Sequence, residues 1–286
     1  MIDDFSIVIP AKNESHGLRS FLPILLHLYP KAEVIVVDDG STDDTAEVCA
    51  QVGVNVISHT YSKGNGASIK TGAKAASKQV IVFMDGDGQH NPEDIAKLLT
   101  EIEQGADMAV GARSGFQSQA NYSRGWANLF YNKFASLIVG HNIDDLTSGF
   151  RAVQSEKFLE FSYLLPNGFS YPTTSTMAFF RAGYSVSYVP ISVSKRIGES
   201  HIRIFKDGVR FLLIIFKIGT LYSPLKVFFP VSIVFFGLAS AHYMNTYINY
   251  GRFTNMSALL YVTSVLIFMM GLISEQITTL LYSKNK

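Results

Sequence analysis

The chain has 286 residues, room for one large domain or two smaller ones, and 24 Lys plus Arg against 23 Asp plus Glu leave a formal net charge of +1. That near-balance excludes the polyelectrolyte surface on which nucleic-acid binding depends. A single cysteine, Cys49, excludes an intramolecular disulfide and a Cys-rich zinc centre, and the mean hydropathy of +0.19, high for a soluble protein, comes mainly from residues after Phe211.

The acidic start Met1-Ile2-Asp3-Asp4 leads straight into an apolar run, so no signal peptide is expected and the N-terminal part is expected in the reducing cytosol. Residues 5–10 (FSIVIP) read as a buried strand, followed by polar Ala11-Lys12-Asn13-Glu14 and a helix over about 15–28 with Ser15 as its cap. Residues 33–37 form a second strand ending on Asp38-Asp39-Gly40-Ser41, and a helix opens at Ser41 or Thr42 and runs through Cys49. A strand over 54–58, a helix over 66–76, a strand over 80–84, a helix over 92–102 with Pro92 in its first turn, and a strand over 108–112 continue the alternation. Strands alternating with helices imply a mainly parallel sheet covered on both faces, with ligands bound beyond the carboxyl ends of the strands. Asp39, Asp85, Asp87 and Arg113 then share one rim.

The strand over 80–84 stops at Asp85-Gly86-Asp87-Gly88-Gln89-His90. Residues two apart in a strand face the same way, so both carboxylates can converge on a hard cation such as Mg²⁺ or Mn²⁺. Asp and Gly are equally the commonest turn residues, and the stretch taken alone reads as well as a plain turn. No G-x-G-x-x-G follows the first strand and no P-loop is present. The Gly64/Gly66 loop at a helix start offers backbone N–H groups to an anion, a weak signal by itself.

Residues 121–139 read as a helix with Arg124, Asn128 and Asn132 on one face, the pattern of a solvated surface. Residues 145–151 form a turn-rich loop, a helix falls within 169–183, and 185–193 alternate as a strand before the basic segment 195–203. Residues 205–220 mix Lys206, Arg210 and Lys217 with Phe211, Leu212, Ile214, Ile215 and Phe216, as in a basic helix lying in a membrane interface. Residues 227–251 and 253–274 contain no Asp, Glu, Lys or Arg, and each is long enough to cross ~30 Å of hydrocarbon. They predict a transmembrane hairpin with spans of about 227–249 and 256–279. Lys206, Arg210, Lys217 and Lys226 before it, and Lys284 and Lys286 after it, put both chain ends in the cytosol. Glu275, costly at membrane depth, pairs or protonates at a helix contact and with the exposed hairpin is compatible with a homo-oligomer.

Six ordered motifs carry a family resemblance: Ile9-Pro10-Ala11-Lys12-Asn13-Glu14, Val36-Val37-Asp38-Asp39-Gly40-Ser41-Thr42-Asp43, Lys63-Gly64-Asn65-Gly66-Ala67, Met84-Asp85-Gly86-Asp87-Gly88-Gln89-His90, Asp145-Leu146-Thr147-Ser148-Gly149-Phe150-Arg151 and Arg196-Ile197-Gly198-Glu199-Ser200. In this order they resemble family 2 glycosyltransferases, within them the dolichyl-phosphate mannose synthase and bacterial polyprenyl-phosphate glycosyltransferase group, over roughly residues 5–205. The resemblance implies a Rossmann-like GT-A domain over 1–203, followed by an interfacial amphipathic helix over 204–222 and a membrane hairpin over 223–286. It implies inverting, metal-dependent transfer of a sugar from a nucleotide diphosphate donor to a polyprenyl phosphate, undecaprenyl or dolichyl, at the cytosolic membrane face, with membrane lipids as further partners. By the same resemblance Pro10, Lys12, Glu14, Asp39 and Lys63 line the nucleotide, and Asp85, Asp87 and Gln89 hold Mg²⁺ or Mn²⁺ and the diphosphate. Arg113, Arg124 and Asn128 face the lipid phosphate, and Arg196 and Ser200 lie on a loop closing over the donor. Lys12, Asn128, His201 and Thr174 depart from the residues common in the family, which implies a subgroup with its own sugar or acceptor geometry. Another membrane acceptor, and a non-catalytic nucleotide-sugar-binding scaffold, are the competing expectations. A phosphate monoester is largely dianionic at pH 7, so a lipid phosphate attacks without a general base.

Overall fold

The computed structural model describes residues 2–113, 122–168, 170–193, 213, 216, 219–220 and 223–283, without the side chains of 122–128, 130 and 281–283. Two compact units emerge, Met1–Lys133 with His141–Gly208, and Phe134–Gly140 with Val209–Lys286.

The first unit is built on strands β1 (Ser6–Ala11), β2 (Glu33–Asp38), β3 (Asn55–Ser58), β4 (Val80–Phe83), β5 (Met108–Arg113), β6 (Arg151–Gln154) and β7 (Val186–Ile191). They form one seven-stranded sheet in the order β3-β2-β1-β4-β6-β5-β7. β1 lies between β2 and β4, parallel to both, with Val8 opposite Ile35 on one side and Phe83 on the other. Ile7, Val8, Ile9, Ile35, Val36, Val37, Ile81, Val82 and Phe83 are fully buried, as continuous apolar runs require in a sheet covered on both faces. β6 alone runs against its neighbours β4 and β5, so the sheet is mixed but mainly parallel.

The helices are α1 (Ser15–Leu28), α2 (Thr45–Val52), α3 (Asn65–Ala75), α4 (Asp94–Glu103), α5 (Tyr122–Val139), α6 (Ser155–Glu160) and α7 (Tyr171–Ala182). α1 buries Leu18, Phe21, Leu22 and Leu25, the spacing of one helical stripe. Because β1 pairs with β2 on one side and β4 on the other, its carboxyl end is a topological switch point. The loops after β1, β2 and β4 therefore meet over one crevice.

Three local expectations need correction. The loop expected over 145–151 ends one residue early, because Arg151 opens a strand over 151–154, which an unanticipated helix over 155–160 follows. α2 starts at Thr45 because Asp43 Oδ1 accepts the Thr45 N–H (3.1 Å) and Asp38 Oδ1 accepts the Ser41 N–H (3.0 Å), fixing 41–44 as a turn. At Asn132 the polar face of α5 is not spent on solvent: Nδ2 donates to Asp144 O (2.6 Å) and Oδ1 accepts the Leu146 N–H (3.1 Å).

The second unit contains α8 (Pro224–Tyr250) and α9 (Asn255–Ser283), joined by a short turn at Gly251 (φ +62°). Cross-helix contacts pair residues in reverse order, as in a hairpin. Glu275 Oε2 accepts the Leu225 N–H (3.2 Å), the Ser264 hydroxyl donates to Ser232 O (2.9 Å), and His242 Nδ1 lies 3.0 Å from Ser257 Oγ. Both helices are long and apolar enough to cross a membrane, and Ile233, Phe236, Met244, Leu259, Val265 and Met270 are exposed on their surfaces. Glu275 is thereby engaged at the first turn of α8, where helix N–H groups lack intrahelical partners. The expected interfacial helix over 204–222 falls largely outside the described residues.

Candidate active site at the carboxyl edge of the sheet

The crevice is closely packed beneath the loop that follows β4. Gly17, in the first turn of α1, packs directly on that loop: a Cβ there would stand 2.6 Å from Gly86 O and 3.1 Å from Asp87 C. Gly86 in turn faces Pro10 O and Glu14 Cβ, at 3.3 and 3.6 Å from the position of a Cβ. Gly88 adopts φ +70°, a region that suits glycine, and turns the chain so that Asp87 Oδ1 accepts the Gln89 N–H at 3.1 Å. Pro10, Glu14, Asp85, Asp87 and Gln89 are thus gathered on one loop cluster. The Asp85 side chain is 36% exposed, while His90 behind it is 9% exposed and stacked on Phe150, with centroids 4.9 Å apart.

Asp39 and its neighbours form the β2 side of the crevice. The carboxylate is turned into the protein, 4% exposed, and accepts His59 Nδ1–H and Lys63 N–H on Oδ1 (2.7 and 2.8 Å), and Ser62 Oγ–H and Gly64 N–H on Oδ2 (2.7 and 2.8 Å). Burial pushes its pKa up, but these donors outweigh burial and hold it at about 2. On the far side of the ring, His59 Nε2 lies 3.0 Å from the Thr71 hydroxyl. Lys12 Nζ donates to Ser62 Oγ (3.1 Å), and Lys63 Nζ sits 5.7 Å from the Tyr61 ring centroid. Lys12, Asp39 and Lys63 are therefore brought together, but Asp39 anchors the 59–64 loop, with both oxygens occupied from within. The anion expected at the Gly64 loop is this carboxylate, and the Gly66 and Ala67 N–H groups at the head of α3 donate to Gly168 O and Asn167 O (3.1 and 2.9 Å).

Arg113, at the end of β5, is 28% exposed at its side chain and is paired within the protein. Its Nε and Nη2 fork onto the two oxygens of buried Asp145 (2.7 and 2.9 Å), and Nη2 also donates to the Thr147 hydroxyl. Burial disfavours the charge, but Asp145 outweighs it and raises the Arg113 pKa; the Asp145 carboxyl, likewise raised by burial, is held low by Arg113 and the Thr147 N–H. This pair fixes the 145–149 loop. The side chains of Arg124 and Asn128, and the whole of Arg196 and Ser200, lie outside the described residues.

One residue with a consequence for the site was read only as part of a loop motif. Arg151, the first residue of β6, is fully buried; Nη1 donates to Ser175 Oγ (2.8 Å), Thr176 Oγ1 (3.0 Å) and Pro172 O (3.1 Å), and Nη2 donates to Ser148 O. Burial lowers its pKa against the opposing pull of Tyr171, Tyr188, Asp145 and Asp85. The polar run Thr173-Thr174-Ser175-Thr176 behind Pro172 is the sequence signal that could have pointed to a hydrogen-bonded partner.

The mixed sheet, with its acidic loop at the carboxyl edge, is a GT-A-like α/β fold. The chain belongs to glycosyl transferase family 2, whose sequence profile matches residues 6–161, and it is a glycosyltransferase. Residues 223–280 match the GtrB C-terminal hairpin. Among its relatives are a polyprenol monophosphomannose synthase from Mycolicibacterium smegmatis (29% identical, 66% of this chain and 77% of that one) and an undecaprenyl-phosphate mannosyltransferase from Micrococcus luteus (30%, 68% and 85%). A dolichyl-phosphate hexose transferase from Haloferax volcanii is 29% identical over 72% of this chain and 90% of its own. The fold is similar to that of glucosyl-3-phosphoglycerate synthase from Mycobacterium tuberculosis, solved with Mn²⁺, uridine diphosphate and glucosyl-3-phosphoglycerate (TM-score 0.59, 20% identical, 74% of this chain and 79% of that one).

Proposed function

We propose that the chain transfers a sugar, with inversion, from a nucleotide diphosphate donor to a polyprenyl phosphate at the cytosolic face of a membrane. The observation that carries this reading is the similarity of about two thirds of the chain to relatives named for polyprenyl- and dolichyl-phosphate acceptors, in a chain that also carries an apolar hairpin matching the GtrB C-terminal hairpin. A polyprenyl chain stays in the bilayer, so its phosphate is met only at the interface. The hairpin and the basic segment before it suit an anchored enzyme with its catalytic unit, residues 1–203, and both chain ends in the cytosol.

Asp85, Asp87 and Gln89 supply hard oxygen donors on a partly exposed loop. Among the described residues no cluster of three or more His, Cys, Asp or Glu side chains is arranged to hold a metal alone. Such a set fits Mg²⁺ or Mn²⁺, which complete their shells with water and phosphate oxygens. When bound, the ion neutralises the leaving diphosphate. The chain's own residues orient the reactants. Pro10, Lys12, Glu14 and Lys63 face the donor on the β1 and β2 side, with Asp39 holding the loop that carries Lys63. Arg113, Arg124 and Asn128 receive the acceptor phosphate, Arg113 while paired with Asp145 on the 145–149 loop, and Arg196 and Ser200 cover the donor. The acceptor dianion attacks the anomeric carbon directly, so Asp87 serves as a metal ligand and not as a base.

The test is metal-dependent release of nucleoside diphosphate by the full chain in lipid, across a panel of sugar donors, with and without polyprenyl phosphate. Release that requires both the lipid phosphate and Mg²⁺ or Mn²⁺ supports the reading. Release with another membrane acceptor alone would replace it, and none with any donor would favour a binding scaffold.

A further inference from the structure

The carboxylate of Asp85 is bounded from a side of the fold that its own loop does not reach. Gly149, two residues before β6, faces it: a methyl group on the Gly149 Cα would stand 3.0 Å from Asp85 Oδ2 and 3.4 Å from Oδ1. The same point lies 3.2 Å from the Tyr171 hydroxyl, which donates to Gly149 O at 2.8 Å. Tyr171 is 3% exposed at the start of α7, so its ring has little room to move. Arg151 ties the two segments together, bonding Ser148 O on one side and Pro172 O (3.1 Å) on the other. His90 Nε2 stands on another side, 3.6 Å from Asp85 Oδ2.

From this packing we infer that Gly149 and Tyr171 are positioning residues for Asp85, fixing its carboxylate beside a gap that admits an ion or a water but not a side chain. The inference rests on Asp85 belonging to the metal site. Mg²⁺ sets its oxygen ligands at about 2.0–2.1 Å in strict geometry, so a displacement of a few tenths of an ångström is felt in affinity. An alanine at 149 has two ways to fit: it pushes the Asp85 carboxylate aside or it pushes the Tyr171 hydroxyl off the Gly149 carbonyl. Phenylalanine at 171 keeps the ring and removes the bond that holds Gly149 in place. Both changes act on Asp85 through its neighbours and leave the ligand itself intact.

The experiment is Mn²⁺ titration by electron paramagnetic resonance on the full chain in lipid nanodiscs, without donor or acceptor. Wild type, Gly149→Ala and Tyr171→Phe are compared, each also in an Asp85→Asn background, with thermal unfolding recorded in parallel. Mn²⁺ binding is expected to weaken about tenfold in each variant with the fold retained, the size seen when residues supporting metal ligands are altered. In the Asp85→Asn background the same changes are expected to add nothing further. A purely structural glycine would instead lower the unfolding temperature with unchanged Mn²⁺ affinity, and that result overturns the inference, as does the same weakening with and without Asp85. If Gly149→Ala does not fold, Tyr171→Phe carries the comparison alone. Wild-type protein that binds no Mn²⁺ removes the metal reading and this inference together, whereas binding unaffected by either variant removes only the inference.

Discussion

Replacing Asp39 by asparagine tests the buried anchor on the donor side of the crevice. Four donors converge on its carboxylate, two per oxygen, and one on each oxygen is a backbone N–H, from Lys63 or Gly64, that cannot rotate away. An amide supplies one acceptor oxygen, so whichever side carries the NH₂ leaves one of these N–H groups unsatisfied. That costs roughly 1–3 kcal/mol for a buried group. Proton linkage gives an independent figure: a carboxyl held at about 2 against an ordinary 3.8 corresponds to roughly 2 kcal/mol when ionised. The folded pKa is depressed, so this contribution is complete above the unfolded value and is lost as pH falls through 3.8 toward 2. In thermal unfolding of the full chain in detergent, Asp39→Asn should lower Tm by roughly 5 °C at pH 7. The gap should narrow as the pH is lowered from 5 to 3, and the donor KM should rise because the 59–64 loop loses its tether. A variant melting within about 1 °C of wild type at pH 7, or a gap that ignores pH, would refute the argument.

Asp87→Asn keeps an oxygen to accept the Gln89 N–H, so unfolding should be unchanged while metal-dependent turnover falls roughly a hundredfold; a large loss of Tm instead would return this loop to the plain turn reading. Glu275→Ala should expose the first turn of α8, costing about 1 kcal/mol of capping, and hydrogen exchange at Leu225 and Lys226 should quicken. Glu275→Gln retains an acceptor and should not show the effect, and equal exchange in both variants would remove the capping role.

Much of this was legible in the sequence because the governing physics is local. The apolar runs at 7–9, 35–37 and 81–83 announce buried parallel strands by composition alone, and each ends on the loop residues that meet at the switch point. The hairpin was legible for the same reason, since a span without charge says most of what a membrane helix needs to say. What escaped the sequence was the direction in which charged side chains turn. Asp39 and Arg113 lie on the expected rim, yet one faces a nest of backbone donors and the other a buried carboxylate contributed by residue 145. No spacing rule encodes a partner that the fold delivers from so far along the chain.

Arg151 shows the same limit most sharply. An arginine after Ser-Gly-Phe reads as the exposed end of a turn, because burying a guanidinium without a carboxylate costs several kcal/mol unless neutral acceptors surround it. Here they do: the Pro172 and Ser148 carbonyls and the Ser175 and Thr176 hydroxyls receive it, which is why β6 can begin on a charge and run antiparallel through the sheet. The bonds join the 148–149 segment to the start of α7, the two segments that press on Asp85. The strand that sequence reasoning missed is therefore the one that carries the support of the acidic loop. Its legibility would have required recognising that Ser175 and Thr176, in the buried polar run Thr173–Thr176 of α7, were waiting for a buried cation.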